Sequence, residues 1–366
     1  MRRSKKIEDF YYYRIQLPNR KGSYTVQPCF VLPYLKGYTL EVATALELMM
    51  YGVPSHKISE LYGRNDSYWD NLFDSLGRFS VVGTLVKSKS ELPDDYCADE
   101  KITYWNAKKI SVCMVAAQNC LFCCEASWSS CAKGLERAYG IFKTEACRLK
   151  KDFAPMSINI DGWKATRLAF NNLFASTMLI LCFLHGFIKI RNVAQKEPHV
   201  QTLYDHIWEA YRAEDAETFQ LEIDKLNTWM EAVELKESTR KNVQKLIDKS
   251  TQYQQAYQRK EVHRTSNTVD RPMRRLDRFL FYKQYFHGHF RTAQLKTRAF
   301  ANCYNFMPLS KRCLNYKQQP ELYCRAAQLN RKVYRQNWLE NLIVAASLNG
   351  YRTASQNKFR IFELSL

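Results

Sequence analysis

The sequence predicts an α/β chain built around one sheet, and three stretches carry that reading. Residues 156–160 form an apolar run with alternating β-branched positions. Asp161-Gly162 closes it, and residues 163–174 then switch to a helical spacing of Trp163, Leu168, Ala169 and Leu173. A second apolar run, 178–182, leads straight into Cys182-Phe183-Leu184-His185 and the basic tail Lys189-Ile190-Arg191. Upstream, residues 96–104, 111–117 and 120–126 read as a meander of three strands, and 131–150 as a helix leading to the Asp161 strand. Between His199 and Lys260 there is no Gly or Pro, and Leu203, Ile207, Tyr211, Leu221, Leu226, Met230, Val233, Val243 and Leu246 give an all-helical pattern.

Strand, acid, helix, strand places Asp161 at a strand's carboxyl end, where open α/β sheets put their ligand chemistry. The same Asp also fits a turn or a helix cap, so its meaning depends on further acids elsewhere.

Composition bounds the rest. With 366 residues and 46% hydrophobic content, the chain can bury a large core in two or three domains. A net charge of +19 and a pI of about 9.4 favour a polyanionic partner. The charge is uneven: Arg271 to Leu366 carries 18 Lys/Arg against 4 Asp/Glu, whereas Gln195 to Lys260 carries 10 against 12. A localised basic surface is the electrostatic footprint of nucleic-acid binding. The opening MRRSKKIEDFYYY lacks the apolar core of a secretory signal, and no run is long enough to span a membrane, so a cytosolic protein is expected. The twelve cysteines are then reduced thiols. Cys113, Cys120, Cys123, Cys124 and Cys131 invite a zinc reading, but Cys123 and Cys124 are adjacent and no second Cys-x-x-Cys lies at finger spacing, so they read as core thiols.

Ahead of the sheet, residues 1–39 form a basic, irregular lead-in. Residues 40–80 form three helices broken at Gly52-Val53-Pro54 and at Gly63, as in a helix-turn-helix. Leu40, Thr44, Glu47 and Leu48 begin the first helix. Ile58, Leu61 and Tyr62 give the second an apolar edge, and Trp69, Leu72, Phe73 and Leu76 the third. Asp66, Asp70 and Asp74 on the third helix would repel phosphates, so DNA reading and a plain packing or dimerisation role both stay open.

Four short motifs now line up: Ala98-Asp99-Glu100-Lys101, Asp161-Gly162-Trp163, Cys182-x-x-His185 and Ser266-Asn267-Thr268-Val269-Asp270, followed by Tyr304-Asn305-Phe306. Together they resemble DDE transposases of the Mutator-type and related insertion-sequence families, over about residues 25–312. The resemblance implies an RNase H-like catalytic core in residues 94–194 and 263–312, a helical insertion at 195–262, and a helix-turn-helix before them. Residues 313–366 follow as a basic helical C-terminal region. It further implies Asp99, Asp161 and Asp270 as catalytic metal ligands. It selects Asp99 over Glu100 and over Asp94 and Asp95, which follow Pro93 and read as loop residues. Cutting and joining DNA by in-line displacement uses two Mg²⁺, or Mn²⁺ in their place, about 4 Å apart, and such hard cations take carboxylate oxygens held on rigid elements.

The family usually has Glu where Asp270 stands. The shorter side chain reaches about 1.5 Å less far, and Asp277, two turns on, is the reserve. Asp270 before Arg271-Pro272 could equally be a helix cap. Cys182 and His185 are implied to brace the fold around the second acid. They could form a zinc pair only with partners from elsewhere. The Cys-x-x-Cys often found ahead of the helix-turn-helix is reduced to Cys29. Lys164, Lys189, Arg191, Arg274, Arg275 and Arg278 are the candidate DNA contacts. Trp208 and Trp229 read as core tryptophans, with base stacking the alternative. The expected protein is a Mg²⁺-dependent transposase, a homo-oligomer expected as a dimer on double-stranded DNA and nucleoid-associated in a prokaryotic cytoplasm. The alternatives are a transposase-derived DNA-binding protein with weakened or lost catalysis, and an RNA-processing nuclease of RNase H type.

Overall fold

A computed structural model of the chain describes residues 2–7, 10–18, 22–26, 38–317 and 319–348. The described part of the lead-in is not irregular. Strands β1 (Arg2–Ile7), β2 (Phe10–Gln16) and β3 (Ser23–Val26) form an antiparallel sheet in that order. The run Phe10-Tyr11-Tyr12-Tyr13 has the aromatic composition that favours strands. Cys29 lies outside the described residues.

Helices α1 (Thr39–Met50), α2 (Ser55–Tyr62) and α3 (Asp66–Ser75) break where expected. Gly52 and Gly63 both take positive φ, Pro54 precedes α2, and the Asn65 side chain caps α3 by accepting from the Tyr68 N–H at 2.8 Å. The buried faces differ from those read from the sequence. In α1 the core side is Val42, Ala43, Ala45, Leu46, Met49 and Met50, while Leu40 is 73% exposed, and in α2 Leu61 is 67% exposed. The reason is tertiary: α1 packs against α2 and α16, α2 against α3, and Phe73 of α3 packs on Phe279, far along the chain. The three helices share one hydrophobic core with the sheet, so tertiary packing chose their inner faces.

After the short helix α4 (Val81–Leu85) come β4 (Asp95–Trp105), β5 (Lys108–Ala117) and β6 (Cys120–Ser127), an antiparallel meander. Its turns, Asn106-Ala107 and Gln118-Asn119, are two-residue loops with positive φ at both positions, the hairpin geometry that matches strand twist. Helix α5 (Ala132–Leu149) leads to β7 (Ser157–Ile160), α6 (Lys164–Leu173), β8 (Met178–Leu181) and α7 (Phe183–Ala194). Strand β7 is parallel to β4, and β8 to β7, giving one mixed sheet in the order β6-β5-β4-β7-β8 with β4 at its centre. The fold is thus mixed α/β. Cys113, Cys120, Cys123 and Cys124 are buried in β5 and β6 as expected of core thiols, but Cys131 is exposed ahead of α5.

Helices α8 (Val200–Arg212), α9 (Ala216–Ala232), α10 (Glu237–Ile247) and α11 (Ser250–Gln254) build a second core with β8 and α7. Trp208 packs on Phe187 and Tyr211, and Trp229 lies against His206. In α9 the buried stripe is Phe219, Ile223, Leu226 and Met230, whereas Leu221 is exposed. Two long helices return to the first core: α12 (Asn267–Tyr282) and α13 (Phe290–Phe306). They are followed by α14 (Lys311–Lys317), α15 (Arg325–Asn330) and α16 (Trp338–Leu348). Helix α16 has no Lys or Arg and buries Trp338, Leu339, Leu342 and Ala345. The C-terminal region is therefore helical through residue 348, but its last described helix is core and not basic surface, and residues 349–366 lie outside the described residues. Among the described residues no helix is long and apolar enough to cross a membrane.

Candidate active site

The sheet register brings the first two acids together. Strands β4 and β7 pair as far as Cys97 with Asn159, and the same step carried two residues on sets Asp99 level with Asp161. Strands β7 and β8 end with Ile160 beside Leu181, so Cys182 is the next residue level with Asp161, and its N–H donates to Ile160 O at 2.8 Å. Three chemistry-bearing residues thus stand in one row at adjacent strands.

Alternation along β4 sorts its side chains. Glu100 turns to α5 and α6, where Tyr139 and Thr166 hydroxyls donate to its Oε1 at 2.6 and 2.8 Å. Lys101 lies on the other face and pairs with Asp277 of α12 at 3.1 Å, and Cys97 donates to Thr265 O just ahead of α12. Asp99, odd-numbered with Cys97 and Lys101, belongs to that side. Asp277 is therefore an ion-pair partner farther along the strand. Asp95, expected in a loop, opens β4 instead, buried and paired with Arg259 and with the Ser157 hydroxyl.

The third acid arrives through a sulfur contact. Cys182 Sγ accepts from the Ser266 N–H at 3.3 Å and lies 3.4 Å from Ser266 Oγ, while the Phe183 N–H donates to Arg264 O at 3.1 Å. These bonds fix the start of α12. Ser266 is the N-cap residue, so Asp270 sits within the first turn and is not itself the cap. Its N–H donates to Ser266 O at 3.1 Å.

The electrostatics tie the cluster together. Burial pushes the Asp99 carboxyl up to about 6, with Asp161 and Asp270 adding to the shift, while the Glu100 N–H and His185 oppose it. Burial also raises Asp270 against His185, Arg274 and Ser266. Glu100 is pushed up to about 7 by burial, with Asp99 and Asp161 contributing and its two hydroxyl donors opposing. The Cys182 sulfur raises His185 to about 9 against the effect of burial, and Asp99 and Asp161 reinforce it. Burial works to raise Cys182 in turn, but His185 outweighs it and holds the thiol below its ordinary value. His185 Nδ1 is buried without a hydrogen-bond partner. Asp161 Oδ1 accepts the Trp163 N–H at 2.7 Å, so this residue does shape the turn that the sequence allowed.

Among the described residues no group of three His, Cys, Asp or Glu side chains is gathered closely enough to hold a metal ion. The candidate DNA contacts divide. Lys164, Lys189, Arg191, Arg274 and Arg278 are exposed. Arg275 is turned into the α1 interface, stacked over Tyr51 with its centre 4.7 Å from the ring and Nη2 buried. The acidic face of α3 is likewise engaged: Asp70 pairs with Lys283 at 2.8 Å, and Asp74 lies 3.7 Å from Lys296. Sequence reading weighed Glu100 only as an alternative first acid; it is half-buried on the opposite face, held by the Tyr139 and Thr166 hydroxyls. Sequence reading missed the pairing of Glu125 and Glu145 with Arg298. The available signal was an acid inside the otherwise apolar strand 120–127.

The chain matches no protein-family model and no curated protein.

Proposed function

We propose that this chain is a DDE-type transposase with an RNase H-like core, acting on double-stranded DNA. One observation carries the reading. Asp99 and Asp161 stand level at adjacent strands, and Asp270 reaches the same neighbourhood on a helix tied to the next strand through Cys182. The sheet order with its central first strand, and the helical insertion with its own core, support it.

Three oxygen-donor side chains, of which Asp161 and Asp270 add to the charge cost at Asp99, fit a hard divalent cation in kind. Mg²⁺ held by Asp99, Asp161 and Asp270 would supply charge stabilisation to a phosphodiester in displacement. The chain's own contributions are positional. Cys182 fixes the α12 start, His185 places positive charge beside Asp99, and exposed Arg274 next to Asp270 is placed to meet a phosphate.

Purified protein should cleave DNA bearing the element's ends only with Mg²⁺ or Mn²⁺, and Asp161→Ala should abolish cleavage while retaining DNA binding. An Asp161→Ala protein that cuts as fast as wild type removes the assignment. A second reading, a transposase-derived DNA-binding protein, is favoured by the ungathered ligand set and by the shorter side chain at 270. Asp270→Glu decides between them, because it restores about 1.5 Å of reach. Cleavage kept or raised supports the enzyme, with Asp270→Asn inactive. No cleavage by wild type or Asp270→Glu, with salt-dependent DNA binding intact, supports the binding protein.

A further inference from the structure

On the α5 face of the sheet, opposite Asp99, a groove of about 1080 Å³ runs between α5, the end of β6 and the start of α13. Its volume is at the upper end of what a small ligand fills. The walls are basic. Lys133, Arg137 and Arg148 recur at helical spacing along one side of α5, and Arg78 and Arg291 line the groove as well. Among the described residues, the acids lining it are Glu125 and Glu145, both held by Arg298. Arg78, Lys133, Arg137 and Arg291 form no ion pair among the described residues. Arg291 is depressed by burial and by the like charges of Arg78 and Arg298. Such crowding is relieved by an anion.

At the mouth stands Trp128, 59% exposed yet fixed in place. It stacks on Phe290 with ring centroids 3.7 Å apart and meets Trp105 edge-on at 4.7 Å. Trp105 is itself anchored by its Nε1–H donating to Gly288 O at 3.0 Å. A rigid exposed indole beside a row of cations offers a flat face to a base and charges to its backbone, the pairing found where unpaired strands bind. The row from Lys133 to Arg148 is about 22 Å long, enough for several phosphates. A duplex keeps its bases stacked internally and cannot use the indole.

We propose that this groove binds a single-stranded nucleic-acid segment, with a base stacked on Trp128 and phosphates on Arg78, Arg291 and the α5 row. This rests on the nucleic-acid reading above but on a separate face of the molecule. The test is fluorescence anisotropy of a labelled oligothymidine, with a labelled duplex measured in parallel. Trp128→Leu, which keeps apolar bulk but loses the flat face, should weaken oligothymidine binding about 5- to 100-fold, with duplex binding unchanged. Trp128→Phe should restore most of the affinity. Arg78→Gln and Arg291→Gln should each lower the slope of log affinity against log salt by about 0.7. If oligothymidine binds these variants as it binds wild type while duplex binding persists, the groove assignment falls and the nucleic-acid reading stands. Equal weakening of duplex and single strand by Trp128→Leu overturns the single-strand assignment. Wild-type protein that binds neither overturns both readings.

Discussion

Two groups of acids flank the same sheet, one buried and one half-buried, and they are partnered differently. Glu125 of β6 and Glu145 of α5 share Arg298 of α13. Its Nη1 bonds Glu125, and its Nη2 bonds Glu145 at 2.6 Å and Phe79 O at 3.0 Å. Its Nε donates to Gly77 O at 2.9 Å, and Glu145 Oε2 also accepts the Val82 N–H at 2.9 Å. Nearly every donor is used, and all three side chains are at most 5% exposed. The Asp99, Asp161 and Asp270 group has no such arginine among them. His185 and Arg274 are the cations that act on it, and Asp99 is held up near 6. The difference lies in the partners: Arg298 bonds both glutamates directly, although burial still pushes Glu125 up to about 7 and its Oε2 has no hydrogen-bond partner, whereas the carboxylates at the strand ends are met by the charges of His185 and Arg274.

The largest test of that contrast is Arg298→Met. It strands two buried acids, and chemical denaturation should show a loss of about 3–5 kcal/mol. A loss under about 1 kcal/mol would mean the triad does not hold the β6 edge.

Asp99→Asn should move stability the other way. The folded carboxyl stands near 6, above its unfolded value near 4, so the native state holds the proton more tightly. Wild type therefore loses stability as pH rises from about 4 to about 6, and the deficit is complete above that window. Asn carries no such deficit. In EDTA the variant should match wild type near pH 4 and exceed it by roughly 2 kcal/mol at pH 7.5, while losing cleavage. Melting curves across that range check it, and a variant less stable than wild type at pH 7.5 would mean Asp99 is structurally paired. Added Mg²⁺ should stabilise wild type and not the variant.

The smallest effect belongs to Asp277→Asn. Asp277 is 52% exposed in its pair with Lys101, so screening limits the loss to under about 1 kcal/mol. Cleavage should stay within about twofold of wild type, and a large loss of activity would return Asp277 to the metal site.

Local pattern alone determined a good deal. The alternating run before Asp161 had to be a strand, because a side chain every second residue suits a buried sheet, and the Gly-free and Pro-free stretch after His199 had to be helical. Asp161 at a strand end and the break points at Gly52 and Gly63 follow from the same chemistry of turns. Strands β1 to β3 were not legible, since their run of tyrosines carries no apolar alternation. The faces of α1 and α2 were not legible either, because Leu40 and Leu61 are as apolar as the residues that are buried, and packing against α3, α16 and the shared core decides between them. The same holds for the chemistry. Nothing near Cys182 in sequence shows that its sulfur meets Ser266, and nothing near Glu125 shows that Arg298 arrives from 173 residues away. Period and turn chemistry act within a few residues, whereas charge compensation and face selection are settled by whichever distant groups the folded chain brings into contact.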